Sequence, residues 1–279
     1  MIPTALSIAG SDPSGGAGIQ ADLKAFSARG VYGMSAITAL TAQNTTGVAG
    51  VHPVPPDFVA EQIAEVLVDM RVNAVKVGMI ANAGIARAVT GSLAEIGAPV
   101  VVDPVMVAKG GAALLEDDAV AAVREGLIPQ ASLITPNLPE SARLLDAPVA
   151  TSRDAIAVQA TALLSLGPRA VLIKGGHLDG AESPDLLVHE DEAIWIESPR
   201  VTTKNSHGTG CSLSAAIAAE LAKGRTMPDA VRAAKRWLTG ALAAADDLRL
   251  GQGHGPVHHF HALWALPEAT DTPDTEETT

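Results

Sequence analysis

The strongest candidate for a chemical function is a short motif with two glycines, Gly208 and Gly210, that directly precedes an apolar helical stretch. Because glycine lets the backbone curl, successive N–H groups around Thr209 can point at one spot, and the start of the following helix adds unpaired donors and partial positive charge. Such a site binds anions and can stabilise the charge on a transferred phosphoryl group. The alternative is an ordinary glycine-rich turn with Cys211 as a small buried helix residue. The local pattern alone does not decide between the two.

Polar side chains that follow predicted strands form a second candidate site. Asp103 ends an apolar strand, where a charge is unfavourable unless it is paired or bound to a cation. Asn137 and Glu140 lie three residues apart at a predicted helix start, and with Asp103 they could organise hydrated magnesium. Glu140 could instead be an acid that favours the helix dipole. Lys174, at another strand end, could bind phosphate or be a solvated surface lysine.

A first glycine-rich loop, residues 11–18, follows the first predicted strand. A phosphate-binding P-loop requires Lys and then Ser or Thr after its last glycine, but Ile19 and Gln20 stand there. A dinucleotide-binding loop requires an acidic residue about 20 residues further on, whereas residues 40–42 are Leu, Thr and Ala. Both interpretations are disfavoured, and we expect a tight loop that lets the backbone approach a ligand.

Three histidines, His258, His259 and His261, lie close together near the end of the chain, beside Phe260 and Trp264. Their spacing fits no standard zinc signature. We therefore expect these histidines to contribute to packing or to an interface rather than to bind a metal.

Short apolar runs alternate along the chain with stretches in which apolar residues recur at helical spacing. Strands are predicted near residues 5–9, 36–40, 74–79, 99–103, 132–135 and 170–174, with a hairpin at 186–196 and two Ala-rich helices after residue 210. This alternation predicts an α/β fold with a mainly parallel sheet covered by helices on both faces. Ligands of such sheets bind beyond the carboxyl ends of the strands, so the candidate sites are expected at one edge.

Composition excludes several classes of function. The formal net charge is −12, from 19 basic and 31 acidic residues, which disfavours binding to nucleic acid or to anionic membranes. Cys211 is the single cysteine, so no intrachain disulfide forms, and neither a signal peptide nor an apolar run long enough to span a membrane is present. We expect a cytoplasmic protein with one domain, residues 1–266, and a disordered acidic tail, residues 267–279.

Six motifs together resemble the hydroxymethylpyrimidine/phosphomethylpyrimidine kinases. They lie at residues 8–22, 102–106, 133–140, 174–177, 205–211 and 255–261, and the resemblance spans about residues 4–264. It implies a ribokinase-like three-layer α/β/α sandwich, usually a homodimer. It also implies ATP-dependent phosphorylation of 4-amino-5-hydroxymethyl-2-methylpyrimidine and then of its monophosphate, with Mg²⁺ as cofactor, for thiamine biosynthesis.

The same resemblance implies a role for each candidate residue. The residues around the pyrimidine would be Gly10, Asp22, Gln43, Met79 and Val105. Those at ATP would be Lys174, His207 and Asn137, and those at the magnesium ion Asp103 and Glu140. The catalytic anion hole would comprise Gly208, Thr209, Gly210 and Cys211.

The chain departs from the wider pattern at two positions. Ser206 replaces the Thr that the family usually carries, and the hydroxyl is kept. Cys211 stands where the wider superfamily has an Asp base. The family that this chain resembles and a related branch of pyridoxal kinases also carry Cys at that position. At a helix start the pKa of Cys211 is expected to fall, so that its thiolate could accept the substrate's proton. A pyridoxal kinase and a non-catalytic pyrimidine-binding protein remain the alternatives.

Overall fold

The computed structural model describes residues 1–106, 117–176, 178, 180–190 and 192–264. In chain order its strands are β1 Thr4–Ser11, β2 Tyr32–Asn44, β3 Gly47–Pro53, β4 Ala74–Val77, β5 Val100–Val102, β6 Leu133–Ile134, β7 Ala170–Lys174, β8 Asp185–His189 and β9 Glu192–Ile196. They form one sheet in the order β3-β2-β1-β4-β5-β6-β7-β8-β9. Strands β2, β1, β4, β5, β6 and β7 run parallel to one another, β3 pairs antiparallel with β2 at one edge, and β8 and β9 add antiparallel pairs at the other. The prediction of a mainly parallel sheet is confirmed.

Helices cover both faces of this sheet. They are α1 Gly18–Ala28, α2 Pro56–Asp69, α3 Ala83–Leu93, α4 Asp117–Ala122, α5 Leu138–Leu145, α6 Arg153–Leu164, α7 Thr209–Ala222 and α8 Met227–Ala243. A π-helical turn at Val123–Leu127 and a 3₁₀ turn at Ile128–Gln130 follow α4, and a second 3₁₀ turn at Ala245–Leu248 follows α8. The prediction of two long Ala-rich helices after residue 210 is thereby confirmed.

Alternate residues of the central strands enter two separate hydrophobic cores. Val75 and Val102 pack into the core beneath α2, α3 and α6, whereas Ala74 and Val101 pack into the core beneath α1, α7 and α8. Every residue of β4 is buried. Because both faces are covered, the central strands read as continuous apolar runs, and burying one Val or Leu side chain contributes roughly 1.5–3 kcal/mol.

Two features of the fold differ from the sequence prediction. Strand β2 continues to Asn44 and pairs with β3, which the sequence analysis missed because the residues of β3 are exposed or half-buried and show no buried alternation. Strand β4 ends at Val77 rather than at residue 79. The domain boundary at residue 266 and the predicted acidic tail lie outside the described residues. In the part of the chain that the structure describes, no helix is long and apolar enough to cross a membrane.

Candidate active site

A cavity of about 930 Å³ lies where the central strands end. Ser11 at the end of β1, Asp103 just after β5, Asn137 after β6 and Lys174 at the end of β7 all line it, as does the start of α7. Because these strands are parallel, their carboxyl ends meet at one edge of the sheet. Every candidate site residue named from the sequence lines this cavity except Asp22.

The start of α7 depends on a glycine at position 208. Gly208 precedes the helix with φ 74° and ψ 10°, in the left-handed region. A Cβ placed on Gly208 would lie 1.8 Å from the carbonyl oxygen of Gly16, so the second glycine motif packs directly on the first glycine-rich loop. The first N–H groups of α7 therefore open onto the cavity beside that loop, as an anion site requires.

Lys174 and Asp103 meet at this helix start. Lys174 Nζ lies 2.8 Å from Asp103 Oδ1 and 3.8 Å from Glu140 Oε2. A Cβ on Gly210 would lie 3.3 Å from Lys174 Nζ and 3.5 Å from Asp103 Oδ2. Burial would lower the pKa of Lys174, but Asp103 and Glu140 outweigh burial and raise this pKa above its ordinary value. Lys174 is therefore a charged ammonium group beside the first turn of α7.

Asn137 and Glu140 form a capping box at the start of α5. Asn137 Oδ1 accepts from the Glu140 N–H at 2.8 Å, and Glu140 Oε2 accepts from the Asn137 N–H at 2.8 Å. Burial, with a further contribution from Asp103, raises the pKa of Glu140 to about 7, although Lys174 and the Asn137 N–H offset part of the rise. The helix-start interpretation of Glu140 is confirmed, and its role at a metal stays a prediction.

The donor set of this corner fits magnesium that is shared with phosphate. Asp103 and Glu140 lie around one ammonium, and Mg²⁺ in nucleotide sites is commonly held by one or two carboxylates together with phosphate oxygens. Among the described residues, no group of three or more His, Cys, Asp or Glu side chains could hold a metal ion by itself. These two carboxylates therefore suit a metal that arrives with its nucleotide.

Cys211 lines the cavity in the first turn of α7, but the thiolate expected from the sequence is wrong. Burial raises the pKa of Cys211 to about 11, with Asp22 and Asp103 adding to the rise. Lys76 and the Gly18 N–H act in the opposite direction and are outweighed. Cys211 is therefore a neutral thiol at neutral pH, because burial disfavours its charged form and the carboxylates near it add to that effect.

Asp22 does not reach the cavity. Its Oδ2 accepts from Lys76 Nζ at 2.7 Å and from Ser7 Oγ at 2.6 Å, and all three side chains are fully buried behind the wall. The Asp22 carboxylate outweighs burial and raises the pKa of Lys76. The sequence analysis missed Lys76, although one charged residue inside an apolar strand was a signal for a buried partner.

Gln43 and His207 lie together on another wall. His207 Nε2 is 2.8 Å from Asp12 Oδ2, and the amide group of Gln43 lies 3.2 Å from the same nitrogen. Burial would raise the pKa of Asp12, but hydrogen bonds from His207 and Ser14 outweigh it and lower this pKa. The structure thus places His207 against the first glycine-rich loop and Gln43, and its predicted contact with ATP stays a prediction.

The remaining wall near Gln43 is apolar. Gly10, Met79 and Val105 line it, together with Met106. A Cβ on Gly10 would lie 2.9 Å from Met79 Sδ, so this glycine lets the methionine side chain cover the floor of the cavity. An apolar wall with a few polar groups is typical of a small-molecule site.

The far wall contains an ion pair that the sequence analysis missed. Lys235 Nζ, from α8, lies 2.6 Å from Asp185 Oδ2, and Asp185 Oδ1 accepts from the Gly175 N–H at 3.0 Å. This pair anchors the backbone directly after Lys174. The single carboxylate at the start of an apolar strand was the available signal, but its partner lies 50 residues away in the chain.

Arg200, also on the far wall, holds the loop after β7. Its guanidinium donates to a set of backbone carbonyls, those of Gly176, Leu178, Gly180 and Glu182. One arginine therefore fixes the shape of this rim, which the sequence did not indicate.

The histidine cluster makes packing contacts with α7 and with tryptophan rings. His259 Nε2 lies 2.8 Å from Ser212 Oγ, and the ring of His258 meets that of Trp264 edge-on at 5.4 Å. His259 and His261 lie 6.2 and 6.3 Å from Trp237.

A helix-covered parallel sheet with a glycine-lined candidate anion site at its carboxyl edge is typical of α/β/α proteins that bind phosphorylated ligands. The comparisons give the family. The model of the phosphomethylpyrimidine kinase family matches residues 12–258, so the chain belongs to that family, whose fold is ribokinase-like.

Relatives of known function and solved structures agree with this assignment. The chain is 54% identical over 261 residues to the hydroxymethylpyrimidine/phosphomethylpyrimidine kinase of Salmonella typhimurium, covering 93% of this chain and 98% of that one. A phosphomethylpyrimidine kinase structure from Clostridium difficile is 42% identical with a TM-score of 0.76, over 87% of this chain and 100% of that one. The ADP complex of Bacillus subtilis pyridoxal kinase is 37% identical with a TM-score of 0.87, over 94% and 99%.

Proposed function

We propose that the protein transfers a phosphoryl group from ATP to 4-amino-5-hydroxymethyl-2-methylpyrimidine and then to the resulting monophosphate, which yields the pyrimidine diphosphate for thiamine biosynthesis. The relatives named for both kinase activities support the two acceptors. The related pyridoxal kinase structure with bound ADP supports ATP as the donor.

The observation that carries this proposal is the position of the α7 start beside Lys174 and Asp103. The N–H groups of the first turn and the Lys174 ammonium would bind the transferred phosphoryl group. Asp103 and Glu140, with phosphate oxygens, would hold Mg²⁺, which supplies positive charge against the phosphates when it is bound. Phosphoryl transfer proceeds mainly by positioning and charge stabilisation, so a neutral Cys211 is compatible with it.

The pyrimidine would lie against Gln43 and the apolar wall of Gly10, Met79 and Val105. An aminopyrimidine edge has one donor and one acceptor, and the Gln43 amide can satisfy both. Contact with Asp22 stays a prediction, and it would require the buried pair of Asp22 and Lys76 to rearrange.

Pyridoxal is the second candidate acceptor. The TM-score of 0.87 to a pyridoxal kinase favours it. The non-catalytic alternative is disfavoured because a protein that only binds pyrimidines has no use for the anion site. The homodimer and the cytoplasmic location stay predictions.

Product analysis by mass spectrometry tests the proposal. The protein, ATP and Mg²⁺ are incubated with hydroxymethylpyrimidine, its monophosphate or pyridoxal at equal concentrations. We expect kcat/KM to be highest for the two pyrimidines. Preference for pyridoxal would identify the second candidate, and binding without ATP consumption would contradict both kinase assignments.

A further inference from the structure

The two polar neighbours of Gln43 determine which way its amide group faces. One end of the amide lies 3.1 Å from Thr41 Oγ1, and the other end lies 3.2 Å from His207 Nε2. The oxygen and nitrogen of an amide have nearly the same shape, so their partners decide which atom occupies which end. The hydrogen-bonding roles of Thr41 and of His207 each indicate the same orientation of the Gln43 amide.

Thr41 must accept a hydrogen bond from Gln43. The threonine hydroxyl carries one proton, and Thr41 Oγ1 lies 3.0 Å from the carbonyl oxygen of Ser11, which can only accept. The hydroxyl therefore donates to Ser11 and has only lone pairs left for the amide. The NH₂ end of Gln43 must face Thr41.

His207 Nε2 can face Gln43 only as an N–H group, with no lone pair to accept a hydrogen bond. Its Nε2 lies 2.8 Å from Asp12 Oδ2. Asp12 is a carboxylate, since it already accepts from four donors: the N–H groups of Ser14, Gly16 and Ala17 and the hydroxyl of Ser14. Nε2 therefore carries a proton. Its single proton goes mainly to Asp12 Oδ2, the nearer acceptor, so Gln43 can share only the weaker branch of that hydrogen bond. Gln43 Nε2 facing His207 would place donor against donor. The amide turned over presents its oxygen to Nε2–H instead and its NH₂ to Thr41.

The support for His207 is rigid. A Cβ on Gly16 would lie 2.4 Å from the ring of His207, so the ring rests directly on the first glycine-rich loop. The backbone N–H of His207 donates to the Gly255 carbonyl at 3.0 Å, and both Asp12 and His207 are buried. The ring cannot turn away from Gln43 without disrupting this packing.

We propose that Thr41 and the pair of Asp12 and His207 are positioning residues that lock the Gln43 amide in one orientation, so that the site accepts a 4-aminopyrimidine and rejects its 4-oxo analogue. This inference rests on the proposed function. The locked amide keeps one N–H and one oxygen lone pair for a ligand. A 4-aminopyrimidine offers an amino donor beside a ring-nitrogen acceptor, and the 4-oxo compound offers the reverse pattern. An amide that is free to rotate would suit either pattern. A locked amide suits only one, because the hydroxymethyl group must face the anion site and the ring therefore cannot turn over.

Selectivity measurements test the lock. The readout is the ratio of kcat/KM for 5-hydroxymethyl-2-methylpyrimidine bearing a 4-amino group to that for the 4-oxo compound, with the KM for ATP measured alongside. Thr41→Val and His207→Leu each remove one side of the lock, and we expect the ratio to fall at least about tenfold, mainly because activity on the 4-oxo compound rises. Thr41→Ser and His207→Gln are the matched controls, since they keep the hydroxyl and an N–H donor, and their ratio should stay within about threefold of wild type.

A merely structural role lowers activity on both compounds equally and leaves the ratio unchanged, which would overturn the inference. A rise in the KM for ATP in His207→Leu at an unchanged ratio would overturn it in favour of a nucleotide contact. If His207→Leu does not fold, Thr41→Val decides alone. A wild-type protein that phosphorylates neither pyrimidine would refute the proposed function and the inference with it, whereas an active wild type whose variants keep the ratio refutes the inference alone.

Discussion

Asp103 lies between Lys174, at the end of β7, and the first turn of α7. Its carboxylate pairs with Lys174 at 2.8 Å, accepts from Thr135 Oγ1 at 3.3 Å and faces Gly210 in the first turn of α7. It is 1% exposed, so its charge acts in surroundings that screen it poorly.

Asp103→Asn should lower kcat by about 10²–10³-fold at saturating magnesium, because the charge that we propose to order the phosphates is lost. Stability should fall much less, since the amide still hydrogen-bonds and Glu140 remains near Lys174. Steady-state kinetics and thermal melts measure the two effects. Thr135→Val removes only the hydroxyl and should cost less than tenfold, as an estimate of roughly one hydrogen bond. Unchanged turnover in Asp103→Asn would contradict a phosphate-ordering role.

Cys211 raises a second question at this scale, namely why a neutral thiol stands at the anion site. Its neighbours Asp22 and Asp103 already oppose negative charge there. The second acceptor is itself a phosphate monoester, and a permanent carboxylate 4 Å from it would repel it by roughly 4 kcal/mol at an effective dielectric of 20. A neutral side chain avoids that repulsion.

Cys211→Asp should therefore lose monophosphate kinase activity preferentially. The ratio of kcat/KM for the monophosphate to that for the alcohol should fall by about tenfold or more. Cys211→Ser, neutral and of similar size, should keep the wild-type ratio. If the ratio in Cys211→Asp stays flat or moves toward the monophosphate, the charge argument is wrong.

The start of α7 is the element on which the anion site depends. Gly208 combines φ 74° with a Cβ position 1.8 Å from the Gly16 carbonyl oxygen, whereas Gly224, just after the same helix, combines φ 82° with open space around its Cβ. These two glycines separate backbone strain from steric overlap.

Gly208→Ala should destabilise the protein by about 2–5 kcal/mol, because a left-handed alanine costs about 1–2 kcal/mol and the overlap adds about 1–3 kcal/mol. Gly224→Ala should destabilise the protein only through the left-handed backbone conformation, by about 1–2 kcal/mol. Urea unfolding of both variants measures the difference. Equal losses of unfolding free energy in the two variants would show that the loop beneath Gly208 moves aside at no cost.

Elements with a buried stripe were predictable, and elements without one were not. Helix α2 and strand β7 were found because apolar residues recur at the spacing of a half-buried helix or run continuously through a buried strand. Strand β3 was missed because it is an exposed edge held mainly by backbone pairing with β2. Backbone pairing leaves no side-chain period in the sequence.

The site shows the same limit. Residues at strand ends, such as Asp103 and Lys174, were predictable as cavity neighbours because a parallel sheet brings its carboxyl ends together. That Lys174 pairs with Asp103, or Lys76 with Asp22, was not predictable, because those contacts join residues 71 and 54 positions apart. The charge state of Cys211 was mispredicted for the same reason, since it depends first on burial and then on carboxylates that are distant in the sequence.

At the scale of the whole molecule, the segment after α8 closes the carboxyl edge of the sheet. The His258 N–H donates to the Ala241 carbonyl at 2.9 Å, and His207 pairs with Pro256 in a short parallel bridge. His259 then enters the core between α7 and α8, where it contacts Ser212 and lies beside Trp237. A titratable ring thus lies inside the packing that supports the anion site.

This arrangement makes the stability of the whole fold depend on pH. Burial lowers the pKa of His259 to about 3, and Lys24 and His258 add to the effect. The unfolded chain binds a proton at His259 below its ordinary pKa of 6.5, whereas the folded chain does so only near pH 3. Stability from this group is therefore complete above pH 6.5 and is lost progressively as the pH falls toward 3, by about 2 kcal/mol at pH 5.

His259→Gln should remove this dependence, because glutamine can hydrogen-bond to Ser212 and does not titrate. Between pH 7.5 and pH 5 the free energy of unfolding should fall by about 2 kcal/mol less in His259→Gln than in wild type, measured by urea unfolding at each pH. His52, on the exposed strand β3, provides the matched control, and His52→Gln should follow the wild-type curve because it leaves the burial of His259 intact. Parallel curves for His259→Gln and wild type would show that the ring reaches solvent or gains a proton within the fold, contrary to its buried position against α7.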